Sequence, residues 1–269
     1  MHKLLVINTA VLLILGLFSG CLGEFETIRK GDDYELKYQK ALEYYENEEW
    51  FKAQQLLEQI LPIYRGSDKI EKIYYNYADT YFRMERYVLS TYYFKNFTTT
   101  FPNSDKTEDA SFMSAYSNYM LSPTFRLDQT NTEEAVDAFQ IFVNTYPSSS
   151  RVSEVNQLID DMRDKMEEKA FAEADLYFKL NDFKSANHTY KNVVKVYPDA
   201  EEVEHARFMV IKSSYKLAQN SIDFIKEDRY KEAISAYNTF LEKHPNSPLK
   251  KEADQLYQAS LEKLEKLNQ

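Results

Sequence analysis

The sequence predicts an all-α protein, a solenoid of about five helical hairpins closed by a capping C-terminal helix. One spacing recurs five times. A small residue (Ala53, Ser90, Ala135, Ala186, Ala233) is followed four positions on by a large one (Leu57, Phe94, Phe139, Tyr190, Tyr237). A further large residue comes seven positions on (Ile60, Phe97, Phe142, Val193, Phe240). Positions i, i+4 and i+7 share one helix face. The small residue admits a neighbouring helix, and the large ones fill the space beside it. Glycine is scarce, five in 269 residues, and Gly66 alone lies beyond Gly31; so few breakers favour a helical body. No stretch alternates apolar and polar residues as a half-buried strand would. A helix with one apolar stripe cannot bury it alone, so five in series imply stacking.

In chain order, residues 1–20 carry Lys3, an apolar run and then small residues. That is a secretory signal pattern, too short and wrongly flanked for a stable membrane span. Leu22–Asp33 reads as a short acidic tether. Tyr34–Arg65 is the first hairpin: Tyr38, Ala41, Leu42 and Tyr45 stripe its first helix, and Trp50 opens its second. Pro62 should end that helix early, in the turn Ile63–Asp68. Ile70–Pro102 is the second hairpin, with Ala78 set among Tyr74, Tyr77 and Tyr81. Asp109–Pro147 is the third, interrupted by an insert at Leu121–Asn131. Ser148–Leu180 reads as one long helix feeding the fourth repeat, and Glu201–Lys226 as another leading to the fifth. Pro102, Pro147, Pro198 and Pro245 stand twelve positions after the small residue and stop each second helix, because proline lacks the N–H needed to continue. Arg65 holds that place in the first copy. A final helix from Ser247-Pro248 to Gln269 has the charged outer face that a stack's end requires. The expected division is residues 1–20 signal, 21–33 tether, 34–147 repeats one to three, and 148–269 repeats four and five with the cap.

Composition excludes several function classes. The formal net charge of −10 argues against nucleic acid as a partner, since phosphate binding wants a basic surface. Four histidines (His2, His188, His205, His244) are far apart, and no His/Cys/Asp spacing suits a metal. There is no glycine-rich phosphate loop and no nucleophile motif. Adjacent acids such as Asp160-Asp161 and Glu167-Glu168 point about 100° apart on a helix and make no catalytic pair. The expectation is a binding protein, not an enzyme, without cofactor or metal.

Two resemblances sharpen this reading. The pattern of small residue, aromatic and proline, with first helices such as Ile73–Tyr87 and Ala170–Phe183, resembles the tetratricopeptide (TPR) repeat. Phe18-Ser19-Gly20-Cys21 resembles a bacterial lipobox, and Cys21 is the only cysteine. This implies cleavage before Cys21, a diacylglycerol on its sulfur and an acyl chain on its new amino group; several chains anchor firmly where one would be marginal. Neither Leu22 nor Gly23 is the Asp that commonly retains lipoproteins in the inner membrane, which implies the outer membrane with the repeats in the periplasm.

The lipobox, the repeat number and two segments, LEQILPIYRGS (Leu57–Ser67) and Tyr215–Ser247, together resemble the BamD family of β-barrel assembly lipoproteins. That resemblance implies that N-terminal repeats take the C-terminal strand of unfolded outer-membrane barrel precursors, which ends in an aromatic residue. It also implies that C-terminal repeats dock on a POTRA domain of the BamA-like barrel subunit, with other assembly lipoproteins as further partners. First helices line the groove of a TPR stack, so the implied peptide-facing set is Tyr38, Tyr45, Tyr75, Asp79, Phe82, Arg83, Phe112, Tyr116 and Tyr119. Arg83 is placed to pair a terminal carboxylate, while each member has core packing as the alternative role. The implied docking set is Arg207, Lys212, Lys216, Asp223, Lys226, Asp228 and Arg229, with an ordinary solvated helix surface as its alternative. A different envelope TPR lipoprotein, an adaptor of cell-wall synthesis or division, fits the same repeats.

Overall fold

The computed structural model describes residues 23–267, and these are helical throughout, without a strand. The helices are α1 (residues 23–30), α2 (Tyr34–Glu46), α3 (Trp50–Ile60), α4 (Ile70–Arg83), α5 (Tyr87–Thr100), α6 (Thr107–Leu121), α7 (Thr130–Thr145), α8 (Val152–Lys179), α9 (Phe183–Val196), α10 (Val203–Gln219), α11 (Asp223–Lys243) and α12 (Lys250–Leu267). Residues form two compact units. The first extends to Pro123 and resumes over Gln129–Ile159; the second holds Thr124–Asp128 and continues from Asp160. In the first unit α2 to α7 each pack on the next helix in sequence. In the second α9 to α12 do the same, and α10 also meets α12.

The recurring spacing sets the core. All fifteen small and large positions of the five copies are buried. Ser90, the one polar member, accepts a hydrogen bond from Ser117 Oγ at 2.9 Å. Second helices end alike. Phe101, Tyr146, Tyr197 and His244 each leave the helix with φ between −120° and −134° and donate their N–H to the carbonyl four residues back at 2.8 Å. Each precedes a proline, whose ring disfavours the α conformation in the residue before it. In the first copy α3 stops at Ile60, one residue ahead of Leu61-Pro62, and irregular turns follow to Lys69.

The short turns inside three hairpins use a device that glycine normally supplies. Glu48, Glu85 and Asn181 have φ of 60°, 58° and 61°. Each donates its N–H three residues back, to Tyr45, Phe82 and Phe178, and the next residue donates five back, to Tyr44, Tyr81 and Tyr177. This is the paired bonding of a Schellman ending. Asp182 then caps α9 by accepting from Ser185 N at 3.0 Å, as Asp33 caps α2 by accepting from Leu36 N at 2.9 Å.

Two expectations are corrected. The part of the presumed tether within the described residues is helix α1, and it packs. Phe25 and Ile28 are buried with Ala41 and Tyr44, and the Phe25 ring meets Tyr44 edge-on at 5.8 Å. The apolar pair at i, i+3 was masked by the glycines on either side. The long helix expected over Glu201–Lys226 is broken. Asn220 Nδ2 and Ser221 Oγ turn back onto the carbonyls of Lys216 and Leu217, and Ile222 is extended at ψ 150°. Residues 223–228 therefore belong to α11, which continues unbroken into the fifth copy. The long helix expected over Ser148–Leu180 is present as α8.

Candidate functional site

The nine residues expected to face a peptide all lie in the first unit, but all save Tyr38 divide into latches and a row of rings. The first latch joins α2 to α4. Asp79 is 3% exposed, and its Oδ2 accepts from Tyr45 Oη at 2.5 Å and from Arg83 Nε at 3.1 Å. A buried carboxylate needs such partners to offset lost hydration. Trp50 at the start of α3 closes this group: its ring meets Tyr45 edge-on at 5.3 Å, and the Arg83 guanidinium lies 5.5 Å from it. Burial, then the Asp79 bond, pushes the Tyr45 phenol well up. Burial works against the Arg83 charge, yet its neighbours, Asp79 foremost, together raise that group.

A second latch joins α4 to α6. Tyr75 Oη and Arg151 Nη2 both donate to the Asp109 carboxylate, and burial followed by that bond raises the Tyr75 phenol. Lys106 Nζ lies 4.2 Å from the Tyr75 ring, and the Arg151 guanidinium 4.1 Å from Phe112. Tyr75, Asp79 and Phe112 are thus buried structural groups.

The accessible part is a ring row that starts from buried Phe112 and runs out along α6. Phe112, Tyr116 and Tyr119, at i, i+4 and i+7, stack with 5.5 Å between successive centroids and interplanar angles of 15° and 24°. Phe82 of α4 joins at Tyr116, 5.9 Å away, and Tyr87 of α5 meets Phe82 at 5.5 Å. Phe82, Tyr116 and Tyr119 are half-buried, so each keeps part of its ring free. Such a surface offers quadrupolar faces and edges to aromatic or aliphatic side chains of an extended chain. Tyr38 sits elsewhere, against Tyr64 at 5.6 Å and under Lys69 Nζ at 4.5 Å.

The seven docking residues lie in the second unit and are not brought to one place. Lys212 pairs with Glu252 at 2.9 Å, Lys226 with Asp223 at 2.8 Å, and Arg229 donates to Ser221 Oγ. Lys216 is half-buried and Asp228 exposed. Arg207 edges a hollow of about 290 Å³ floored by Val194, Val210, Ala236 and Phe240, with Lys191 and Glu232 at its rim. Lys226 lines a separate hollow with Tyr230, Lys263 and Lys266. Sequence reasoning missed Ile222 and Phe224, which are 70% and 92% exposed at the start of α11. Reading through the break at Asn220–Ile222 had hidden them in a helix. Trp50, Lys106 and Arg151 were missed as partners in the latches. A signal for these latches existed: Tyr45 to Asp79 and Tyr75 to Asp109 are both 34 residues apart. Cys21 lies outside the described residues.

Among the described residues no cluster of His, Cys, Asp and Glu is arranged to hold a metal, and no helix is long and apolar enough to cross a membrane.

Comparison with known proteins bears on this arrangement. A family model described as an outer membrane lipoprotein, YfiO, matches residues 31–223, and a tetratricopeptide repeat model matches residues 213–247. Among solved structures, the P58(IPK) TPR domain is 15% identical over 88% of this chain, at a TM-score of 0.42; the chain spans 66% of that domain, just under two thirds. The TPR2AB domain of yeast Sti1, solved as a complex with pHSP90, is 12% identical over 84% of this chain and 98% of its own, at 0.39. A tetratricopeptide repeat protein from Parabacteroides merdae is 13% identical over 87% and 79%, at 0.35. No curated protein sequence matches the chain.

Proposed function

The chain belongs to the YfiO family of outer membrane lipoproteins, and from that premise we propose that it serves the β-barrel assembly machinery as its BamD-type TPR component. In this reading acyl chains on Cys21 hold it to the outer membrane and its repeats stand in the periplasm. The first unit takes unfolded barrel precursors, and the second docks on a POTRA domain of the BamA-like barrel subunit. The observation that carries the reading is the row of half-free rings on α4 and α6, in a chain whose family match covers that whole unit from residue 31. It suits strands rich in aromatic and aliphatic side chains, and it needs no charge reading of their sequence. For docking, the hollow beside Arg207 supplies an apolar floor with a cation at its edge, the combination that central interface contacts favour.

Purification of the tagged lipoprotein from its own envelope in mild detergent tests this. We expect a near-stoichiometric barrel protein carrying POTRA domains, and an intact mass with acyl chains on the mature N-terminus. Cell-wall synthases or division proteins in place of such a barrel would move the function to the other envelope adaptor.

A further inference from the structure

A hollow of about 320 Å³ in the second unit lies among α10, α11 and α12. Gln219, Lys226, Tyr230, Lys263, Lys266 and Leu267 line it, three of them lysines and none acidic, in a chain whose formal net charge is −10. Lys263 and Lys266 are exposed, and among the described residues neither has a hydrogen bond or ion pair. Lys226 comes from α11 and holds Asp223, a solvent-exposed acid, at 2.8 Å. Tyr230 is an independent feature of the same hollow. It is 3% exposed, yet among the described residues its hydroxyl has no hydrogen bond. That hydroxyl is not sealed in the core as a buried orphan; it opens on the hollow that its side chain lines. Burial, then Tyr215, raises the Tyr230 phenol, and the Lys226 ammonium pulls it back, so the hydroxyl lies within that ammonium's field. The preference of lysine for a helix C-terminus accounts for Lys263 and Lys266 at the end of α12. It does not account for a third lysine brought from α11, or for a phenol left without a partner beside them.

We propose that this hollow is an anion site for a phosphate group, with the ammonium groups of Lys226, Lys263 and Lys266 around its oxygens and the Tyr230 hydroxyl donating to one of them. Lysine serves phosphate as a point charge, whereas a planar carboxylate is better met by an arginine fork. A tetrahedral phosphate presents acceptor oxygens in several directions and carries more than one negative charge as a monoester, which suits donors arriving from two helices. Leu267, 40% exposed, gives an apolar wall to whatever the phosphate is attached to. A soluble phosphomonoester and the headgroup of an anionic phospholipid share this chemistry, and the test separates them. The site is distinct from the hollow beside Arg207 and does not rest on the barrel-assembly reading.

The test titrates the full chain in mild detergent with inorganic phosphate, glycerol 3-phosphate and dihexanoyl-phosphatidylglycerol, with binding read by calorimetry. The wild-type chain should bind at least one of them. In Lys263→Gln with Lys266→Gln that probe should bind about tenfold more weakly or worse, the scale of charge-assisted hydrogen bonds. Tyr230→Phe removes one hydroxyl and keeps the buried ring, and it should weaken binding about fivefold. Asp223→Asn frees Lys226 and should tighten binding about twofold. Helical spectra should be unchanged in all three. Tighter binding of the phosphatidylglycerol than of glycerol 3-phosphate assigns the site to a lipid headgroup; the reverse order assigns it to a soluble phosphomonoester, and either supports the proposal. Failure of all three probes to bind wild type overturns it. So does affinity that is unchanged in the lysine variant or in Tyr230→Phe, which would mark the binding as belonging to another surface or to the detergent micelle. A hexaglutamate peptide that binds as tightly as the best phosphate probe also overturns it, and leaves a general attraction for acidic chains in its place.

Discussion

Asp79 and Phe82 sit three positions apart on α4, yet they belong to different kinds of site. Asp79 is enclosed by a phenol and a guanidinium that offset its burial, so removing it would strand two polar partners. Phe82 keeps part of its ring in solvent, so cutting it back costs the core less than losing a fully buried ring. Phe82→Ala with Tyr116→Ala should therefore weaken binding of barrel C-terminal peptides about tenfold, two ring contacts of roughly 0.5–1 kcal/mol each, with helicity retained. Unchanged affinity in an anisotropy titration, with an intact circular dichroism spectrum, would reject the row as the peptide site. The sequence located this face through the i, i+4, i+7 set on α6, but it could not separate buried from accessible members. That separation depends on what the neighbouring helix brings. Tyr75 and Tyr116 look alike in sequence, but Tyr75 packs against Phe94 and Phe97 and bonds the Asp109 carboxylate. Arg65 stands in the sequence only where the other copies have proline; its surroundings are a property of the folded turn.

At the level of elements, the helices with strong periodicity and a proline stop were legible, and what failed was local backbone chemistry. The ends of α2, α4 and α8 depend on left-handed residues that are glutamate or asparagine, and a search for glycine passes over them. The α10–α11 break depends on two side chains folding onto carbonyls. A left-handed L-residue costs about 1–2 kcal/mol, and glycine gives back roughly 0.5–1 kcal/mol through unfolded-chain entropy. Glu85→Gly should accordingly stabilise the protein by about 0.5 kcal/mol, seen as a higher urea midpoint with an unchanged slope. A lower midpoint would show that the Glu85 side chain contributes more than its backbone strain costs.

Across the molecule, a set of buried and half-buried tyrosines holds its phenols in the protonated form. Burial leads the rise for Tyr44, Tyr45, Tyr74, Tyr75, Tyr77, Tyr81 and Tyr190, and the Asp254 bond leads for Tyr237, pushed up to about 12. Unfolded tyrosines ionise near pH 10. Above that pH the unfolded chain gives up protons that the folded chain keeps, so stability falls as pH rises, by up to about 1.4 kcal/mol per pH unit for each such group. Below about pH 9 these phenols contribute no slope. Urea midpoints should hold between pH 8 and 9 and drop steeply from pH 10 to 11; a midpoint steady to pH 11 would contradict the raised phenols. The fold class was legible in the sequence because most helix pairs it needs are neighbours in the chain. This has a consequence in time. Most helices find their main partner in the segment that follows, so loop closure stays short and pairing need not await the far end of the chain. Such a stack can begin at any hairpin and grow by adding its neighbours, each addition covering the apolar face the last one left open.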